Sequence, residues 1–138
     1  MAKPKNFLFV CKGNNARSQM AEGFARSMAS SGLKIFSAGL SPEAPSGYAV
    51  EVMGEIGIDI SVQDATAFED VPLNKIDTLV TLSSDADAVP PKLKKKVTTI
   101  HWPLDDPSAE GGTEAEVKIA FRMVRDEIRN RIEVLLVG

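Results

Sequence analysis

Cys11, the only cysteine in the sequence, stands six residues before Arg17 in the stretch FLFVCKGNNARS. A thiol and a guanidinium so spaced can act together on one tetrahedral oxyanion. The sulfur serves as nucleophile, and the planar fork of donors grips two oxygens at once. Between them, Lys12, Gly13, Asn14, Asn15 and Ala16 form a turn whose successive backbone N–H groups can converge on one point, a concave nest suited to an anion. Gly13 and the asparagine pair tolerate the positive φ angles such a turn needs. Ser18 can bring its hydroxyl to the sulfur, and amides, helix terminus and guanidinium all favour a thiolate there. Cys11 and Arg17 are therefore the candidate catalytic pair, with Lys12, Gly13, Asn14, Asn15, Ala16 and Ser18 as candidate substrate-binding residues. Taken singly, each has a plainer explanation, since free cysteine is among the most buried residue types and Asn-Asn is an ordinary turn. Their combination in one short segment favours chemistry. The nucleotide P-loop pattern G-x-x-x-x-G-K-[ST] is absent.

Positioning this pair requires a strand before the cysteine and a helix after the arginine. Residues 6–10 are rich in Phe, Leu and Val without alternation, as in a strand buried on both faces of a parallel sheet. From Ser18 onward, Met20, Phe24 and Met28 recur on one helical face. LKIFS, 33–37, alternates like a strand and closes at Gly39. Ser46 can cap a second helix that Gly57 stops. IDTLVTL, 76–82, and VTTIHW, 97–102, predict two further strands. SSDADAVPPKLKKK reads as a short helical turn broken at Pro90-Pro91. A last helix runs from Glu114 to about Leu136, with Val117, Phe121, Val124, Ile128, Ile132 and Leu135 as its apolar stripe. Strands alternating with helices predict an α/β fold in three layers, a four-stranded parallel sheet with helices on both faces. The whole of 1–138 reads as a single domain. In such a sheet, ligands bind beyond the carboxyl ends of the strands, where Cys11 falls.

Composition narrows the function classes. A formal net charge of −3 argues against a duplex nucleic-acid binder, and Lys94-Lys95-Lys96 reads as a solvated loop. No apolar run approaches membrane-spanning length, and the N-terminus lacks a signal-peptide core, which predicts a cytoplasmic protein. One cysteine excludes an internal disulfide, and a lone His101 cannot build a histidine zinc site, so no metal centre is expected. His101 and Trp102 read as packing residues beside the loop LDDPS.

The strand, C-x5-R-S and helix resemble the low-molecular-weight protein tyrosine phosphatases and the arsenate reductases that share their fold. RSQMAEGFA, FSAGL, EIGIDIS, VTLSSDAD, HWPLDDP and VRDEI look like the arsenate reductase branch, and the likeness spans essentially the whole chain. It implies that Asp106, in Asp106-Pro107, is a general acid. Read without the resemblance, Asp-Asp-Pro-Ser is equally well a turn. The sequence departs from thioredoxin-coupled reductases, because Ser83 and Pro90 occupy the positions of their two further cysteines. Ala16 replaces a loop cysteine found in many relatives. The tyrosines that often follow the Asp-Pro of phosphotyrosine-directed enzymes are missing. Asn14, Glu22 and Ser37 match a set that holds a potassium ion in some reductases of this fold, with Thr66 in place of an acidic ligand, so a monovalent-cation site is expected to be weak and no other cofactor is implied.

The reading that follows is phosphomonoester hydrolysis through a cysteinyl-phosphate. The alternative is arsenate reduction with Cys11 and an external low-molecular-weight thiol or a thioredoxin- or glutaredoxin-type protein. A non-catalytic oxyanion or phosphoprotein binding module stands third. All three predict a small oxyanion or phosphorylated ligand, and neither nucleic acid nor membrane.

Overall fold

A computed structural model describes residues 6–12, 16–29, 32–40, 43, 46–83, 97–109 and 111–137. Strand β1 (Asn6–Cys11) leads into helix α1 (Arg17–Met28), then β2 (Lys34–Gly39) and α2 (Gly47–Gly54). Two single-turn 3-10 segments, Phe68–Asp70 and Leu73–Lys75, precede β3 (Thr78–Leu82). β4 (Thr98–Trp102), a third 3-10 turn (Pro107–Ala109) and the long helix α3 (Glu114–Val137) complete the order. The strands form one sheet in the order β2-β1-β3-β4, and every pairing is parallel. This is the α/β fold expected from the alternation of elements.

Burial explains the patterns in the sequence. β1 is central and covered on both faces, so Phe7 to Cys11 are all buried and no alternation survives. Its odd-numbered residues, Phe7 and Phe9, join Val80, Leu82 and Trp102 in one core cluster. Against that face pack Met20 and Phe24 of α1, Val52 and Met53 of α2, and Phe121, Ile128 and Ile132 of α3. Leu8 and Val10 face the other way, with Leu79 of β3 and Phe68, Val71 and Ile76 from the 3-10 region. Among the described residues, this second layer is made of short 3-10 turns, whereas α1, α2 and α3 all pack on the first. β4 is an edge strand, with Thr98, Thr99 and His101 exposed and Trp102 turned into the core.

Element ends follow local chemistry. Ser46 caps α2 by accepting from the Ala49 N–H, and Gly57 leaves the helix with φ +82°. The third strand starts two residues later than its apolar run. Ile76 completes the preceding 3-10 turn, and the Asp77 carboxylate accepts from the Asn6 N–H at 2.9 Å. The fourth begins at Thr98 rather than Val97, where pairing to β3 begins. The expected turn at 84–96 lies outside the described residues, and no helix among them is long and apolar enough to cross a membrane.

Candidate active site

The strand order decides where a ligand can bind. β1 is followed by β2 on one side and flanked by β3 on the other, so the chain leaves the sheet in opposite directions at their carboxyl ends. The crevice at such a switch point is the usual ligand site of an open α/β sheet. Cys11 is the last residue of β1, 3% exposed, and its Sγ lies 2.9 Å from Ser18 Oγ. Ser18 sits in the first turn of α1 and is fully buried. A hydroxyl held there can donate to a thiolate sulfur. The residue preceding α1 is Ala16, which brings no side-chain oxygen to the first-turn amides. The helix therefore presents its positive end beside the cysteine without a capping side chain of its own.

Arg17 is 2% exposed, and the loop after β4 explains how a guanidinium is held there. Its Nη1 donates to the Leu104 carbonyl at 2.8 Å, and Nη2 lies 3.9 Å from Asp106 Oδ2. The Asp106 side chain is about one-third exposed. Its other oxygen, Oδ1, accepts from the Ser108 N–H at 3.0 Å and from Ser108 Oγ at 2.6 Å. The fold thus gathers Cys11, Arg17, Ser18 and Asp106 around one crevice, from positions separated by up to 95 residues (106 minus 11). Lys12 is exposed at its rim. Gly13, Asn14 and Asn15 lie outside the described residues.

The remaining candidates have structural partners. Glu22 accepts from Ser37 Oγ through Oε1 and from Arg26 Nε through Oε2, the latter at 2.7 Å. Arg26 also donates to the Ile35 carbonyl, so the carboxylate carries its own counter-charge and ties α1 to β2. Among the described residues, no group of three or more His, Cys, Asp or Glu could hold a metal ion. Ser83 is buried just beyond β3, and Pro90 lies outside the described residues. His101 Nδ1 pairs with Thr81 Oγ1 at 2.7 Å across matched positions of β3 and β4. Trp102 packs on Phe9, with the Arg131 guanidinium 5.9 Å from its ring centre.

Two participants escaped the sequence reading. The Leu104 carbonyl has no sequence signal at all, because a backbone acceptor is anonymous. Ser108 had one: Asp-x-Ser is the spacing at which a carboxylate accepts from the backbone two residues on.

Fold and site together define a cysteine-dependent enzyme of the phosphatase and arsenate reductase class, and comparison with known proteins supplies the family. The model for "Low molecular weight phosphotyrosine protein phosphatase" matches residues 6–137. The chain belongs to this family. It is 42% identical to an arsenate reductase of Bacillus subtilis, covering 94% of this chain and 93% of the relative. It is 40% identical to an arsenate reductase of Brevibacillus brevis, over 96% and 95% of the two chains. A solved arsenate reductase in a phosphate-binding state superposes with TM-score 0.82 at 34% identity, covering 96% and 97%. An arginine phosphatase from Geobacillus stearothermophilus shares the fold, with TM-score 0.75 at 23% identity over 96% and 91%.

Proposed function

We propose that this chain hydrolyses phosphomonoesters through a cysteinyl-phosphate, with Cys11 as nucleophile, Arg17 as oxyanion clamp and Asp106 as general acid. The observation that carries the reading is the approach of Asp106 Oδ2 to the guanidinium of Arg17 beside a lone, buried thiol. In the first step the Cys11 sulfur attacks phosphorus, an S–P bond forms, and the ester P–O bond breaks. Arg17 and the loop amides meet the charge on the three equatorial oxygens, and Asp106 gives its proton to the leaving oxygen. In the second step Asp106 takes a proton from water as that water attacks phosphorus. The S–P bond breaks, inorganic phosphate leaves, and thiolate and protonated acid are restored. Neither step needs a second sulfur.

A second reading has its own support, because the relatives at 40–42% identity are named arsenate reductases. Here Cys11 would displace an oxygen of arsenate as water and form an S–As(V) bond. Reduction to As(III) takes two electrons. One sulfur cannot provide them alone, so an external thiol must attack and leave a mixed disulfide that a further thiol reduces.

Hydrolysis of p-nitrophenyl phosphate and arsenite formation with added thiols, measured side by side on one preparation, separate the readings. We expect aryl phosphate turnover, and its loss by at least about 10³-fold in Cys11→Ser, since a hydroxyl is a much weaker nucleophile at neutral pH. Equal rates in wild type and Cys11→Ser would overturn the hydrolytic reading. Thiol-dependent arsenite formation without phosphate ester turnover would replace it with the second.

A further inference from the structure

We infer that Ser108 is a positioning residue for Asp106, fixing which carboxyl oxygen carries the proton delivered to the leaving group. The inference rests on the hydrolytic reading above. The two oxygens of Asp106 have different surroundings. Oδ1 accepts both the N–H and the hydroxyl of Ser108, at 3.0 and 2.6 Å. Oδ2 is the oxygen that approaches the Arg17 guanidinium. A carboxyl rotates about its terminal torsion on a broad, roughly two-fold profile, so an unheld Asp106 could turn either oxygen toward the anion. The Ser108 hydroxyl removes that freedom, leaving Oδ2 to face the reacting ester.

The same contact serves the proton transfer itself. The proton leaves Oδ2 for the ester oxygen, the electron pair of the broken O–H bond stays on the carboxylate, and Ser108 retains its own proton. The negative charge that develops on Asp106 then meets a donor already in place on Oδ1, and such charge-assisted bonds are short and strong. The rest of the loop cannot follow a rotating side chain. Leu104 and Pro107 are buried on either side of Asp106, and the Leu104 carbonyl is fixed by Arg17. The Ser108 N–H bond survives replacement of the side chain. The shorter hydroxyl bond does not, and it can be removed without touching the core, because Ser108 is exposed.

The experiment compares two esters in wild type, Ser108→Ala, Ser108→Thr and Asp106→Asn. Phenyl phosphate has a poor leaving group that needs the proton, whereas p-nitrophenolate departs well without it. Ser108→Ala should lower kcat/KM on phenyl phosphate by about tenfold, a fraction of the 10²–10⁴ that positioned acids contribute. On p-nitrophenyl phosphate kcat/KM should stay within about twofold, since kcat/KM reports only the steps through S–P bond formation, before Asp106 acts as base on water. Ser108→Thr, which keeps the hydroxyl, should restore phenyl phosphate turnover. An equal loss of kcat/KM on both esters, no loss on either, or no rescue by threonine overturns the inference. Asp106→Asn separates this failure from that of the underlying reading. If it turns over phenyl phosphate like wild type, the acid assignment falls and Ser108 with it. If it collapses while Ser108→Ala does not, only the role of Ser108 is lost.

Discussion

Arg17 has two uses for its five donors. Nη1 is committed to the Leu104 carbonyl, while Nη2 lies on the side of Asp106. Lysine cannot reproduce this, because a single ammonium has no second planar edge to offer an anion while one edge holds a carbonyl. Arg17→Lys should therefore lower kcat/KM on p-nitrophenyl phosphate by about 10²- to 10³-fold, the range seen when one preorganised oxyanion donor is removed. The charge is unchanged, so a variant within about threefold of wild type would show that only the positive charge matters. Far-ultraviolet circular dichroism should match wild type, which keeps the comparison one of chemistry.

At the scale of elements, α1 carries the site and must sit close to its neighbours. Gly23, in the middle of α1, faces the segment after α2. A Cβ added there would stand 2.7 Å from Ile60 Cγ2 and 3.2 Å from Met53 Cε. Ile60 and Met53 are fully buried and have nowhere to retreat. Gly23→Ala gains up to about 1 kcal/mol of helix propensity, but overpacking a tight core costs about 1–3 kcal/mol. The packing term wins, and we expect a loss of about 1–2 kcal/mol in urea unfolding. A more stable Gly23→Ala would mean that the α1 contact is looser than these distances imply. Glycine is thus retained in a helix interior, against its propensity, because two elements need to touch.

Across the whole molecule, α2 is tied to α3 by Glu55. Its carboxylate accepts a two-pronged contact from Arg122, at 2.7–3.2 Å, and a further bond from Arg125 Nη1 at 2.9 Å. Arg125 also donates to the Val52 carbonyl and to Asp126. The Arg122 hydrogen bonds, with help from Arg125, draw the Glu55 pKa down from 4.5 to about 2. A carboxylate whose folded pKa is depressed contributes stability that is complete above its unfolded value and disappears as the pH falls through the folded one. The stability difference between wild type and Glu55→Gln should therefore be constant above about pH 5, shrink from there downward, and vanish near pH 2. Urea titrations at stepped pH measure this. A difference that stays constant down to pH 3 would show that Glu55 makes no charge-dependent link.

What the sequence carried by itself was local. The unbroken apolar run of β1, the C-x5-R-S spacing after it and the start of α1 are set by neighbours within a few residues, because strand burial, turn geometry and helix initiation are short-range effects. The stripe of α3 was legible for the same reason. Phe121, Ile128 and Ile132 are fully buried, as helical periodicity requires. The sequence also limited the chemistry, since one cysteine leaves no internal partner for sulfur. The tertiary structure alone decided what faces Arg17. A carbonyl 87 residues away accepts from it, and a carboxylate in the same loop points one oxygen at it and the other at Ser108. Those contacts depend on the strand order, which places the loop after edge strand β4 beside the switch point at β1, and no local pattern encodes that order.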